Sequence, residues 1–141
     1  MGVTITSKNH SITIPYNSLR ILRGKIAALC PKEIAEHYNI LMTGQPEDFD
    51  WEKYDLKTEL LYYKYPAQRK TINFLYAPDT DARFGYGTAK KLLQLIQDPS
   101  GKSKIPEYTI GYPGQKHPEN FSDFLKILED SVRTKKDFYW Y

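Results

Sequence analysis

The sequence has a single cysteine, Cys30, among its 141 residues. One thiol cannot form an intrachain disulfide, and such sparing use of cysteine fits a reducing compartment. Long apolar runs are also missing, because the longest stretch without Lys, Arg, Asp or Glu is the eleven-residue segment 9–19, which is largely polar. A membrane-spanning helix needs about 20 apolar residues. We therefore predict no contact with a membrane and expect a cytoplasmic protein.

Residues that carry specialised chemistry are scarce as well, and the three histidines lie far apart along the chain. Zinc sites need His and Cys ligands at short spacings, so no zinc site is predicted. Asp79-Thr80-Asp81 begins like a calcium loop, but Arg83 and Lys90 stand where that loop needs oxygen ligands. We predict no catalytic residue, no metal and no cofactor, with turn caps or a pair with Arg83 as the plainer use of the two carboxylates. A metal-dependent hydrolase or nuclease using Asp79 and Asp81 remains as the enzymatic alternative.

A large excess of charge is missing too, because 20 Lys and Arg residues against 17 Asp and Glu residues give a net charge of +3. This balance excludes a histone-like polycation and an acidic mimic of DNA. The charge is unevenly spread, since residues 41–65 sum to −3 and residues 66–105 sum to +4. We expect an anionic partner near the second segment, and nucleic acid, which needs a stronger basic surface, is not the expected partner.

The apolar pattern predicts an α+β fold. Val3 with Ile5 and Ile12 with Ile14 alternate with polar residues as in strands, and later segments have apolar residues at three- and four-residue spacing as in helices. No repeat or linker divides the chain. We predict one mostly helical domain over residues 1–141, with about five helices and a small antiparallel sheet. The sheet is expected from the N-terminal strands, the segment near Tyr108 and the C-terminal tail.

Two of the predicted helices combine an apolar stripe with charged or aromatic residues. In the first helix, the basic residues lie off the apolar stripe of Leu19, Leu22, Ile26 and Leu29; they are Arg20, Arg23 and Lys25. In the helix predicted within 47–65, the pattern gives a buried stripe that consists of Trp51, Tyr54, Leu60, Leu61 and Tyr65.

A glycine-rich corner is the strongest local signal for a ligand. Gly85-Tyr86-Gly87 leads into a helix that is expected to begin at Thr88, where free backbone N–H groups and the positive end of the helix dipole favour an anion. Three cations lie close in sequence, and a tyrosine ring could stack on a base. The plainer alternative is an ordinary helix cap beside a solvated basic face. The predicted ligand-binding residues are Arg83, Tyr86, Gly87, Thr88, Lys90 and Lys91.

Tyrosine is abundant, with 12 residues in the chain. Each tyrosine has an apolar body and a polar tip, and tyrosines are enriched at protein interfaces. The chain ends in Phe138-Tyr139-Trp140-Tyr141, and we predict an interface through Tyr139, Trp140 and Tyr141, with a host protein or a second copy of the chain as the partner. The alternative is that several rings simply bridge core and surface.

Two stretches carry a resemblance: MGVTITSKNHSI at residues 1–12, and Asn73–Asp81 together with Tyr86–Thr88. They are similar to small proteins encoded by phages, prophages and mobile elements of Gram-positive bacteria, over about a quarter of the chain. That group brings no catalytic motif, so no residue role is carried over. The resemblance implies an accessory protein that antagonises a host process, such as defence.

The combined prediction is a non-enzymatic binding protein that acts on a bacterial host. Its partner is expected to be a small anionic ligand of the nucleotide type, sequestered at the corner of residues 83–91. The alternative is an inhibitor of a host enzyme that binds through its aromatic surface.

Overall fold

The computed structural model describes residues 2–141, and within them the predicted α+β fold is confirmed. Four strands form one antiparallel sheet in the order β2-β1-β4-β3. The first two strands pair as a hairpin with Ile5 opposite Ile12, and Ile5 also lies opposite Trp140 of the last strand. The strands are β1 (Gly2–Thr6), β2 (Ser11–Pro15), β3 (Ala82–Phe84) and β4 (Phe138–Trp140).

The segment near Tyr108 does not belong to this sheet, so that part of the prediction is wrong. It forms an isolated bridge in which Thr109 pairs with Asn120. The sheet contains β3 in place of that segment, and β3 lies inside a stretch of loop-forming residues. Ala82 and Phe84 of β3 are buried, and Arg83 faces solvent. A three-residue strand alternates only once, and this is too short a pattern to predict from sequence.

Six α-helices confirm that the domain is mostly helical. The helix expected to begin at Thr88 begins two residues earlier, at Tyr86. A 3₁₀ turn, Pro66–Gln68, joins the third and fourth helices. The helices are α1 (Tyr16–Ala27), α2 (Lys32–Met42), α3 (Trp51–Lys64), α4 (Arg69–Tyr76), α5 (Tyr86–Ile96) and α6 (Phe121–Thr134). Within residues 2–141, none of them has the length and apolar character to cross a membrane.

The core contains an aromatic cluster where α4 meets the sheet. The ring centroid of Phe74 lies 5.4 Å from that of Phe84 and 5.6 Å from that of Trp140, and Phe84 lies 5.1 Å from Phe138. Trp140 is only 1% exposed. Because β4 alternates between its two faces, Phe138 and Trp140 both point into this core and Tyr139 points outward.

A buried carboxylate fixes the β1–β2 hairpin to α6. Asp130 accepts hydrogen bonds from the Ser7 hydroxyl at 2.7 Å, from the Asn9 backbone N–H at 2.8 Å and from the Asn9 side chain at 2.9 Å. Arg133 adds an ion pair at 2.5 Å. Burial alone would raise the pKa of Asp130, but these four hydrogen bonds outweigh it and hold the pKa well below its usual range.

Candidate functional site

The structure distributes the predicted corner residues over separate surfaces. Arg83 lies on β3, whereas Tyr86, Gly87 and Thr88 form the first turn of α5, where the Thr88 N–H already donates to the Gly85 carbonyl at 3.0 Å. Lys90 lines a different cleft, beside Asp98 and Lys104. Lys91, one residue further along α5, is half-buried. Arg83 and Lys90 are therefore not brought to one cavity, and an anion site at the corner stays a prediction.

Arg83 instead belongs to a cleft of about 450 Å³ at the outer face of β4. Its guanidinium lies 4.4 Å from the ring centroid of Tyr139 and forms an ion pair with Asp137 at 3.5 Å. Tyr141 stacks on Tyr139 with ring centroids 6.1 Å apart. We call this the Arg83 cleft; it is lined by Lys8, Arg83, Lys135, Lys136, Asp137 and Tyr139.

The three residues of the predicted aromatic interface point in different directions. Tyr141 is exposed and Tyr139 is half-buried, and Tyr139 lines the Arg83 cleft. Trp140 is buried, and its indole N–H donates to the Pro78 carbonyl at 2.9 Å. Its ring is therefore not available to a partner in this fold. The period-two alternation of a strand explains the split, because adjacent side chains of a strand face opposite sides.

A second cavity of about 450 Å³ lies between α1, α2 and the end of α4. Helix α1 contributes four residues. Three of them, Tyr16, Arg20 and Arg23, lie at spacings of four and three and so share one face of that helix. Helix α2 contributes a tyrosine, and the end of α4 with the following loop contributes another tyrosine and an aspartate. We call this the Arg23 cavity; it is lined by Tyr16, Arg20, Arg23, Tyr38, Tyr76 and Asp79.

Arg23 is the unusual residue of this cavity, because it is a charged side chain that is only 5% exposed. Its Nη1 donates to the Ala77 carbonyl at 2.8 Å and to the Phe74 carbonyl at 3.4 Å, and its Nη2 forms an ion pair with Asp79. The guanidinium also lies 5.5 Å from the ring centroid of Trp140. Its Nε is buried and has no hydrogen-bond partner within the chain. The Asp79 side chain, by contrast, is 66% exposed.

The tyrosines of the cavity continue into a buried hydroxyl network. The Tyr54 hydroxyl donates to the His37 carbonyl at 2.8 Å and lies 3.1 Å from the Tyr76 hydroxyl, and the His37 ring stacks on the Tyr54 ring with centroids 3.9 Å apart. Burial raises the pKa of Tyr54 to about 12, and burial is also the main cause that raises the pKa values of Tyr38 and Tyr76. At neutral pH these phenols are therefore protonated and act as hydrogen-bond donors.

Sequence reasoning missed Arg23 and Asp79 as a pair, because 56 positions separate them. The sequence pattern places Arg23 off the apolar stripe of the first helix and predicts that Asp79 caps a turn or pairs with Arg83. Tertiary packing brings the loop after α4 against α1, where Asp79 pairs with Arg23 instead. One signal was present, since Tyr16, Arg20 and Arg23 lie on a common helical face, where two cations beside a tyrosine mark a potential anion-binding surface.

Metal chemistry receives no geometric support from the carboxylates singled out by the sequence. Asp79 is engaged by Arg23, and Asp81 is exposed at a backbone φ of 53°. Over residues 2–141, His, Cys, Asp and Glu side chains do not come together in any group of three that could hold a metal ion.

Comparisons of the chain with protein families, with curated proteins and with solved structures find no match.

Proposed function

We propose that the protein is a non-enzymatic binding protein that holds a small anion of the nucleotide type in the Arg23 cavity. The observation that carries this proposal is a buried arginine at the cavity wall whose ionic partner, Asp79, is mostly exposed. A guanidinium stays charged at any physiological pH. An exposed carboxylate can turn into water at little cost, so a ligand phosphate can take its place on Arg23. Asp79 thus stands in for the anionic group of the ligand.

The other walls suit the remainder of such a ligand. Arg20 is exposed and supplies a second cation, oriented by a hydrogen bond from its Nη2 to the Asn17 side chain at 3.1 Å. The rings of Tyr16 and Tyr76, which are half-buried, offer surfaces on which a heterocyclic base can stack. A volume of about 450 Å³ falls within the range of small-molecule sites, about 300–1,000 Å³.

The tyrosines of the Arg23 cavity are suited to binding a ligand through hydrogen bonds. The tyrosine hydroxyls have raised pKa values, so they donate hydrogen bonds and are poor general bases at neutral pH. The resemblance to phage and mobile-element proteins supports a role in a host cell. We propose that the protein withdraws its ligand from a host process.

Thermal unfolding in the presence of candidate ligands tests this proposal. The probes are AMP, GMP, cyclic di-AMP and inorganic phosphate, each titrated separately. A ligand at 100 times its Kd stabilises the folded state by about 2.7 kcal/mol, which raises Tm by about 8 °C for a chain of this size. A flat Tm with all nucleotides would contradict the proposal, and a response to phosphate alone would restrict it to the anionic group.

Two exposed arginines give a matched pair of variants for that titration. Arg20→Gln removes a cation from the Arg23 cavity, and Arg83→Gln removes one from the Arg83 cleft, with no buried atom deleted in either case. We expect Arg20→Gln to weaken binding at least about tenfold, the equivalent of 1.4 kcal/mol, and Arg83→Gln to leave it unchanged. The reverse result would place the ligand in the Arg83 cleft.

A further inference from the structure

Helix α3 has apolar side chains on two opposite faces. Tyr54 and Leu61 are buried against the rest of the domain. On the opposite side, Leu56, Leu60 and Tyr63 are 57%, 58% and 62% exposed. Their spacings of four and three place them in one line along the helix. We call this line the α3 outer face. The sequence pattern placed Leu60 on the buried stripe, and the structure places it on this outer face instead.

A continuous apolar line on a surface indicates an interaction, whereas scattered apolar residues are ordinary. The C-terminal end of the line is also held in place. Arg69 lies 5.1 Å from the ring centroid of Tyr62 and 5.6 Å from that of Tyr63, and its Nε donates to the Tyr62 carbonyl at 3.1 Å. Tyr63 is therefore partly ordered before any partner binds, which lowers the entropy lost on association.

Charged residues are unevenly distributed along the α3 region. Residues 47–55 contain five acidic residues and one lysine, a net charge of −4. Residues 57–70 contain four basic residues and one glutamate, a net charge of +3. Glu33 of α2 pairs with Lys57 and Lys64 of this segment. Including Glu33 lowers the net charge to +2. One end of the helix region is thus acidic and the other basic, and the apolar line runs from the end of the acidic segment into the basic one.

We propose that the α3 outer face binds the same face of a second copy of this chain, with the two helices antiparallel about a two-fold axis. This arrangement places the acidic segment of each copy against the basic segment of the other and the two apolar lines against each other. A parallel arrangement would place acidic against acidic. Three side chains per copy make a small interface, below the standard of about 800 Å² per partner, so the dimer is reversible with a Kd of about 1–100 µM.

Sedimentation velocity of the full chain over about 1–100 µM tests the proposal, because this range brackets such a Kd. We expect the mass to rise from 16.5 kDa towards twice that value with concentration. Leu56→Glu combined with Leu60→Glu should remain monomeric. Both side chains are exposed, so the far-UV circular dichroism should be unchanged. Tyr141→Glu, an equally exposed aromatic residue outside α3, is the control and should dimerise normally.

The charge argument has its own measurement, which does not depend on the leucine variants. Asp48→Lys combined with Glu52→Lys makes both ends of the region basic and should weaken the dimer at least about tenfold at low salt. In about 1 M NaCl, where charges are screened over about 3 Å, this variant and the wild type should become alike. A wild type that stays monomeric, a double-leucine variant that still dimerises, or a Tyr141→Glu variant that does not would overturn the proposal.

Discussion

The guanidinium groups of Arg23 and Arg83 lie on opposite sides of strand β4. Each guanidinium lies over an aromatic ring of β4, Arg23 over Trp140 and Arg83 over Tyr139, and each pairs with an aspartate. Arg23 is buried and its Nη1 also donates to two backbone carbonyls, whereas Arg83 is exposed and pairs with Asp137 across 3.5 Å. An arginine, an aromatic ring and an aspartate therefore form a structural centre on the buried side of β4. The same three kinds of side chain form an adaptable surface on its exposed side.

This difference explains why the two sites should respond differently to a ligand. The ion pair of Arg83 lies in solvent, where such pairs contribute about 0–1 kcal/mol and water competes for every contact. The guanidinium of Arg23 lies in a poorly solvated wall, where a charge acts more strongly on a partner that reaches it. An anion that displaces Asp79 therefore gains more than one that displaces Asp137.

The two faces of β4 give the largest expected contrast. Trp140→Ala removes a buried ring and a hydrogen bond to Pro78, and we expect it to lower the free energy of unfolding by about 3–5 kcal/mol. Tyr139→Ala removes the neighbouring ring on the outer face and should cost about 1 kcal/mol or less. Urea unfolding followed by circular dichroism measures both. Comparable losses would show that the outer face is also part of the core.

Substitutions of Arg23 and Arg83 should also differ in their effect on the free energy of unfolding. Arg23→Ala leaves two backbone carbonyls without their donor and removes a buried stem, so we expect a loss of about 3 kcal/mol in unfolding free energy. Arg83→Ala should change stability by less than about 1 kcal/mol, as for other exposed ion pairs. Equal midpoints of urea denaturation for the two variants would contradict the assignment of Arg23 as a structural centre.

The elements that the sequence predicted are those set by local pattern. Val3, Ile5, Ile12 and Ile14 predicted the hairpin by alternation. The same period, applied to the tail, separates Trp140 from its two neighbours and would have predicted its burial. Leu60 shows the limit of pattern, because an apolar residue at helical spacing can lie on either side of a helix, and only tertiary packing decides which side is covered.

The candidate site was harder to predict than the fold for a similar reason. The pair of Arg23 and Asp79 depends on how the loop after α4 packs against α1, and no local spacing carries that information. The ligand-binding feature predicted from the sequence is a glycine-rich helix start with three cations and a tyrosine close by. This feature includes Arg83, whose neighbours in sequence made it visible, and does not include Arg23, whose partners are remote.

Asp130 is a buried carboxylate and Asp137 an exposed one, and their substitutions should differ in their effect on stability. Asp130→Asn removes a buried carboxylate that accepts four hydrogen bonds and should cost about 2–3 kcal/mol, whereas Asp137→Asn changes only an exposed pair. The pKa of Asp130 is lowered in the folded state, so its contribution is present above the unfolded pKa of about 3.9 and is lost as pH falls below that value. We therefore expect the stability gap between wild type and Asp130→Asn to narrow below about pH 4, and a gap independent of pH would contradict this.

The smallest expected effect is on affinity and concerns Asp79 as the stand-in for a ligand. Asp79→Asn removes the negative charge that competes for Arg23, so nucleotide binding should become a few-fold to about tenfold tighter, a gain of up to about 1.4 kcal/mol. Asp81→Asn is the matched control, because Asp81 is exposed, two residues away, and its φ of 53° suits asparagine as well as aspartate. Isothermal titration calorimetry of both variants with the nucleotide that stabilises the wild type measures the change. Weaker binding to Asp79→Asn would mean that Asp79 contacts the ligand directly, as a carboxylate does when it accepts hydrogen bonds from ribose hydroxyls, and would end its role as a stand-in.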